Sequence, residues 1–295
     1  MLKHHHINAL NPHRVVVLGA NGFVGKATVA RLQRENIAVL PLARQHIDLL
    51  QPTATSDLSQ RLLPNDALVV IAAQAPCKNI DMLANNIVMM QAICQALEKQ
   101  PVKHVIYISS DAVYADCAER LTENSITMPG SLHGMMHVTR EMMLQSVVKS
   151  PLAILRPSLL YGECDPHNGY GPNQFRRLAI KGEPIVLFGE GEEERDHVFI
   201  DDVAELIYLT LVHQSAGILN IVTGEVTSFR KIAQMTNALV DKPVAIQSRS
   251  RSGPMPHRGF RPFDNTATDR AFPHFRYTSL SRGLALSMHQ PEVTV

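Results

Sequence analysis

An excess of charge of one sign is missing: 28 Lys and Arg stand against 27 Asp and Glu, a formal net charge of +1. Binding along a nucleic-acid backbone needs clustered surplus cations to neutralise phosphates, so no nucleic-acid partner is expected. Cysteine is scarce, and Cys77, Cys94, Cys117 and Cys164 form no CxxC pair and no zinc-like spacing. With no signal peptide in view, they read as reduced thiols of a cytoplasmic protein. The longest apolar runs, such as 67–73, are strand length and far short of a membrane span, so no membrane partner is expected. Repeats of solenoid period and low-complexity linkers are also absent. An ordinary 45% of hydrophobic residues with interspersed charge argues against disorder. At 295 residues the chain has room for one large domain, or a main domain with a smaller companion.

What is present begins with His4, His5 and His6, which read as a tag remnant, a solvated tail or a metal site. Adjacent histidines in a mobile tail enforce no coordination geometry, so no metal is expected. From Arg14 the pattern becomes regular. Val15–Leu18 is a β-branched run of the kind buried on both faces of a parallel sheet. A glycine-rich turn follows, then a helical stretch over Lys26–Glu35 and further strands at Ile37–Leu42, Ala67–Ala73 and Val102–Ser109, with a helix at about Asn85–Glu98. Alternation of strand and helix predicts an α/β fold, a Rossmann-type doubly wound parallel sheet. The Gly-, Pro-, Asp- and Asn-rich texture of Tyr161–Asn173, as in a substrate-shaping loop, marks the start of a smaller C-terminal substrate domain. The expected division is 14–160 for the dinucleotide-binding domain, also receiving about 195–222, with 161–194 and 223–295 for the substrate portion. Helical segments are expected around Asn173–Lys181, Val203–Val212 and Ser228–Leu239. Residues 249–263 hold five arginines or histidines among Gly and Pro, and read as a loop. It is either a polar face over a site or a solvated connection. Asp165–Gly171, dense in donors and acceptors, could equally recognise a polar ligand or be a well-capped loop.

Gly19, Gly22 and Gly25 lie between a predicted strand and a predicted helix. Such a turn lets backbone approach a pyrophosphate at the helix N-terminus, where free N–H groups favour an anion. A carboxylate at the end of the second strand would suit the adenosine ribose of NAD. This chain has Arg44 there, which can pair with a 2′-phosphate with nothing acidic expected beside it to repel the anion, so NADP is favoured over NAD. Asp48 lies further on, towards the adenine.

In order and spacing, GANGFVG (19–25), VVIAAQAP (69–76), YISSDAVY (107–114), LRPSLLYG (155–162) and IVLFGEGEEERDHVFIDDVAELI (185–207) resemble the extended short-chain dehydrogenase/reductases, the NAD(P)-dependent epimerase/dehydratase family acting on nucleotide sugars. The resemblance implies that Gly19, Asn21, Gly22, Phe23, Val24 and Gly25 contact the cofactor. It also implies that Ala72 and Ala73 line its pocket, that Pro157 and Ser158 approach the nicotinamide, and that Arg195 reaches the sugar-nucleotide phosphates. Asp111, Asn173 and Arg258 complete the expected substrate contacts. Family dimers form through the helix that corresponds to Met135–Val148, whose surplus of apolar residues fits a homodimer.

The family's acid/base apparatus is altered. Ser110 stands where a Ser or Thr hydrogen-bonds the substrate oxygen. Where the family has YGxxKxxxE, this chain reads His133-Gly134-Met135-Met136-His137-Val138-Thr139-Arg140-Glu141. His133 takes the tyrosine's place and His137 the lysine's, one helical turn apart. His133 could be the acid/base itself, since imidazole titrates near neutrality without the help a phenol needs. Alternatively the protein binds NAD(P) or a nucleotide sugar without turning it over, or the register is wrong and both are ordinary helix residues. Asp111 is followed by Ala112 where the family's dehydratases carry a second carboxylate, which leaves epimerisation or reduction.

Overall fold

The computed structural model describes residues 2–117 and 119–288. Strand β1 (Arg14–Leu18) is buried over four of its five residues. Successive side chains leave a strand on opposite faces, so such a strand needs cover on both. Helix α1 (Phe23–Arg34) gives cover on one face, and strand β2 (Val39–Leu42) pairs alongside. Helix α2 (Ala54–Arg61), strand β3 (Asp66–Val70), helix α3 (Ile80–Lys99), strand β4 (His104–Ile108), helix α4 (Leu132–Val147) and strand β5 (Leu152–Pro157) follow. Strand β6 (Leu159–Tyr161), helix α5 (Pro172–Lys181), strands β7 (Ile185–Phe188), β8 (Glu194–Arg195) and β9 (His197–Phe199) and helix α6 (Ile200–Val212) lead to strand β10 (Gly217–Ile221). Beyond it lie β11 (Thr227–Ser228), α7 (Phe229–Asn237), β12 (Ile246–Arg249), β13 (Phe260–Arg261), α8 (Thr266–Ala271) and α9 (Leu280–Ser287).

The main sheet runs β10-β5-β4-β3-β1-β2, every pair parallel. Val15 and Val17 share one core with Leu32 of α1 and Val203, Leu206 and Ile207 of α6. Val16 and Leu18 point the other way, into a core with Leu58 of α2, Met90 and Ile93 of α3 and Leu144 of α4. The chain leaves β1 towards β2 and returns to β3 on the other side. That reversal opens a crevice at the carboxyl ends of the strands. A separate cluster of Phe175, Ile185, Leu187, Phe229 and Ile232 joins α5, α7 and β7. Beside it, β8 pairs with β11 and β13.

Several element limits differ from the sequence reading, for identifiable reasons. β2 starts at Val39 rather than Ile37, because Ile37 N–H still bonds to Leu32 O at the end of α1 and Asn36 takes a left-handed φ of 56°. β3 stops at Val70, since Ile71 and Ala72 N–H both turn to Leu18 O. α3 starts at Ile80, five residues before Asn85, because the Asn79 side chain accepts from Met82 N–H at 2.9 Å and caps it. Residues 249–263 are not wholly loop, for β12 ends and β13 lies within them. The histidine run is no free tail. Lys3 pairs with Ala216, and His4 places Nδ1 2.7 Å from Ser215 Oγ and Nε2 2.8 Å from Ala271 O. Among the described residues no helix is long and apolar enough to cross a membrane.

Candidate active site

The glycine turn fixes one wall of the crevice. Gly19 has φ +97°, and a Cβ there would stand 2.7 Å from Ala72 N. A Cβ on Gly25 would drive into Gly19 O, so these two glycines lock β1, α1 and the end of β3 together. Gly22 differs: a Cβ would meet only Gly19 O, at 3.3 Å. It is the N-cap of α1 and supplies no capping side chain, so the first-turn amides keep no side-chain acceptor. In front of them lies a cavity of about 350 Å³ whose lining includes Gly19, Asn21, Gly22, Arg44, Asp48, Ala72 and Ala73. This is a cradle suited to a dinucleotide. Phe23 and Val24 instead pack with Tyr161, Phe199 and Ile200. Arg44 is not free of acidic company, because Asp48 pairs with it at 3.3 Å. The Leu50 N–H, and then Arg44, hold the Asp48 carboxyl below its ordinary range. Pro157 closes β5, and Ser158 is buried beyond it, donating to Asp196 O at 3.1 Å. Neither is part of the cavity lining.

The second group forms where β4 ends. Ser110 caps a short 3-10 turn over Asp111–Val113, its Oγ accepting from Ala112 N–H at 3.1 Å and donating to Asp111 Oδ1 at 3.3 Å. α4 begins beside this turn, with Ser131 as N-cap. Gly134 permits the approach, for any Cβ there would collide with Ala112 O. Glu141 holds the helix down: buried, it accepts from Ser109 Oγ and from Arg156 Nε and Nη2 at 2.5, 2.9 and 2.5 Å. The His133 and His137 rings thereby meet edge to face, with centroids 4.8 Å apart and planes at 83°. Cys77 N–H reaches His133 Nδ1 at 3.4 Å, and Tyr107 Oη lies 2.7 Å from His137 Nδ1. Burial pulls His133 below the ordinary imidazole value, with Asp111 opposing. His137 is held well below it by burial and then by the nearness of His133 and Arg140. Both rings are therefore neutral near pH 7, and a neutral imidazole can take up a proton.

Three participants escape the sequence reading. Tyr107 sits in an apolar strand run and reads as core. Cys77 contributes only its backbone. Arg140 is fully buried and donates from Nη2 to Ala72 O at 2.7 Å, tying α4 to the cavity wall. Its position three residues after His137 was the one available signal.

The expected substrate contacts are dispersed and engaged. Asn173 accepts from Gly162 N–H at 3.0 Å and donates to Leu160 O at 3.2 Å. Arg195 is buried, ion-paired to Glu193 at 2.6 Å and donating to the carbonyls of Glu194 and Pro256. Its register partner Arg261 reaches back to Asp111 Oδ2 at 3.3 Å and to Asp111 O at 2.8 Å. Arg258 follows His257 with both at left-handed φ, 55° and 51°, a strained pair beside Asp116 and Phe260. Ser110, Asp111, His133 and His137 thus come together, Arg195 stands nearby through Arg261, Asn173 lies in the first turn of α5, and Arg258 lies in the turn before β13.

Comparison with known proteins gives the family and the fold. An uncharacterised UDP-glucose epimerase of Bacillus subtilis is 24% identical over 238 residues, 74% of this chain and 72% of that protein. A GDP-L-fucose synthetase from Naegleria fowleri bound to NADP superposes with a TM-score of 0.84 at 18% identity, over 98% of this chain and 96% of that one. The UDP-glucose 4-epimerase of Thermus thermophilus in complex with NAD gives 0.80 at 21% identity, over 93% and 97%. Those structures share its fold. The profile of the NAD dependent epimerase/dehydratase family matches residues 15–222, which span the glycine turn, the Ser110 turn and the histidine pair, and the chain belongs to that family.

Proposed function

We propose that this chain is an NAD(P)-dependent epimerase or reductase of a nucleotide-linked sugar in which His133 is the proton-transfer group. The observation that carries the reading is the pair of neutral, touching imidazoles at the start of α4, packed against the turn that bears Ser110. Ser110 hydrogen-bonds the reacting oxygen, His133 moves its proton, and His137 backs His133. The cradle from Gly19 to Gly25 with Arg44, Asp48, Ala72 and Ala73 would hold NAD(P), with Pro157 and Ser158 on the nicotinamide side. NAD(P), when bound, supplies the hydride donor or acceptor. Arg44, with its side chain 78% exposed, is free to swing from Asp48 to a 2′-phosphate, which favours NADP. Asp111, Asn173, Arg195 and Arg258 are the proposed substrate contacts.

The histidines at positions 133 and 137, where the family carries tyrosine and lysine, favour a second reading, a non-catalytic binder of NAD(P) or a nucleotide sugar. One experiment separates them: calorimetry with NAD(H) and NADP(H), then turnover assays with UDP-, GDP-, CDP- and dTDP-sugars. Turnover that drops about 10²–10⁴-fold in His133→Phe is expected. Undiminished turnover in that variant moves the chemistry elsewhere, and dinucleotide binding without any turnover favours the binder.

The same reading includes a cytoplasmic homodimer. The four cysteines are free thiols. Ile80 and Val88 of α3 and Met135 and Met142 of α4 are exposed on two helices that pack together, an apolar face suited to a second copy. Light scattering at micromolar concentration is expected to give the mass of two chains; a monomer overturns this.

A further inference from the structure

We propose that Tyr107 is a positioning residue that assigns the mobile proton of the histidine pair to His133. The proposal rests on His133 being the proton-transfer group and adds what decides between the two imidazoles. Tyr107 belongs to β4 and is 1% exposed, within the core that also holds Leu144 of α4. Its hydroxyl lies 2.7 Å from His137 Nδ1, a short and well-formed hydrogen bond. Burial raises the phenol far above its ordinary value, with Glu141 adding to the effect and Arg140 opposing it, so the oxygen keeps its proton.

The one hydrogen-bond partner of that hydroxyl among the described residues is His137 Nδ1, and a buried O–H with no acceptor is costly, so Tyr107 is assigned as the donor. That assignment leaves Nδ1 bare and puts the hydrogen of neutral His137 on Nε2. Protonating His137 would put a second hydrogen on Nδ1 and turn the Tyr107 O–H away into apolar surroundings, where an unpaired hydroxyl is costly. The charges around His137 point the same way. Arg140 lies on its own helix and repels a positive ring, and His133 does so once protonated. The Glu141 carboxylate is taken by Ser109 and Arg156.

His133 is placed differently. Asp111, on the turn after β4, favours its protonated form. Cys77 N–H, from the loop after β3, approaches Nδ1 at 3.4 Å, long enough to give way at small cost when the ring takes up a proton. Of two imidazoles in contact, one is locked neutral from behind and the other is free to change charge.

The tautomers can be read directly. In protein labelled with ¹⁵N-histidine, long-range ¹H–¹⁵N spectra from pH 5 to 8, assigned with His133→Asn and His137→Asn, are expected to show His137 neutral with its hydrogen on Nε2 throughout. His133 is expected to titrate alone. In Tyr107→Phe, His137 is expected to populate both tautomers and to titrate coupled to His133. If the sugar panel yields a substrate, kcat of this variant falls while KM holds, and the acid limb of its pH profile moves. A merely structural role would leave the tautomers of folded Tyr107→Phe unchanged, and that result overturns the proposal. So does an Nδ1–H His137, or a His137 that titrates before His133, in the unmodified protein; this measurement decides even if the variant does not fold. Should the tautomers be as expected while no sugar turns over, the reaction fails as a reading and the proton assignment stands.

Discussion

A general base must be unprotonated to work, and His133 meets that condition through burial. Its displacement is downward, so the deprotonated form already dominates at pH 7. The acid limb of the rate profile is therefore expected below the ordinary imidazole value of about 6.5. Asp111→Asn removes the opposing charge and is expected to move that limb lower still; a limb that stays put, or moves up, shows that another group controls the rate. His133 and His137 were readable in the sequence because Gly134 and Glu141 hold their register, and the structure gives both a physical reason: the close approach to Ala112, and the bonds to Ser109 and Arg156. Tyr107 was not readable. A hydroxyl that turns inward from a buried strand looks, residue by residue, like one more core aromatic, and only the crossing of α4 over β4 supplies its partner.

Helices and strands carry the next level. The free amides at the head of α1 depend on Gly22 for access, and an added Cβ would crowd only Gly19 O, at 3.3 Å. Gly22→Val is thus expected to abolish NAD(P) affinity in calorimetry while the chain still folds; retained affinity would place the pyrophosphate elsewhere. Strands β1 to β4 with α1 and α3 followed from hydrophobic pattern alone, because strands covered on both faces leave an unmistakable apolar run. α2 did not, since only Ala54 and Leu58 of it are buried, and α4 entered through the resemblance rather than the pattern. The short strands β8, β11 and β13 left no such trace. Two-residue strands have no periodicity, and their partners lie far apart in the chain.

For the molecule as a whole, buried histidine sets the response to acid. His104 and His197 are held at about 4 against an ordinary 6.5, chiefly by burial. Between those values the unfolded chain binds protons that the fold refuses. Their contribution is full above pH 6.5 and is lost as pH falls towards 4, at up to about 1.4 kcal/mol per pH unit for each. His133 and His137 act in the same direction. Asp196, raised to about 6 by burial, acts in the opposite sense and offsets one of them. Scanning calorimetry is expected to show the melting temperature falling from pH 7 to pH 5; a constant or rising one refutes the assignment. The N-terminal histidines belong to this scale too, because their docking turns a sequence that looks like an affinity handle into part of the fold. His4 has both ring nitrogens engaged, His6 keeps Nδ1 buried, and of the three His5 alone is exposed. Chelated nickel, which needs neighbouring imidazoles together, finds them only once the chain is unfolded, so a purification that relied on this run would select denatured protein over native.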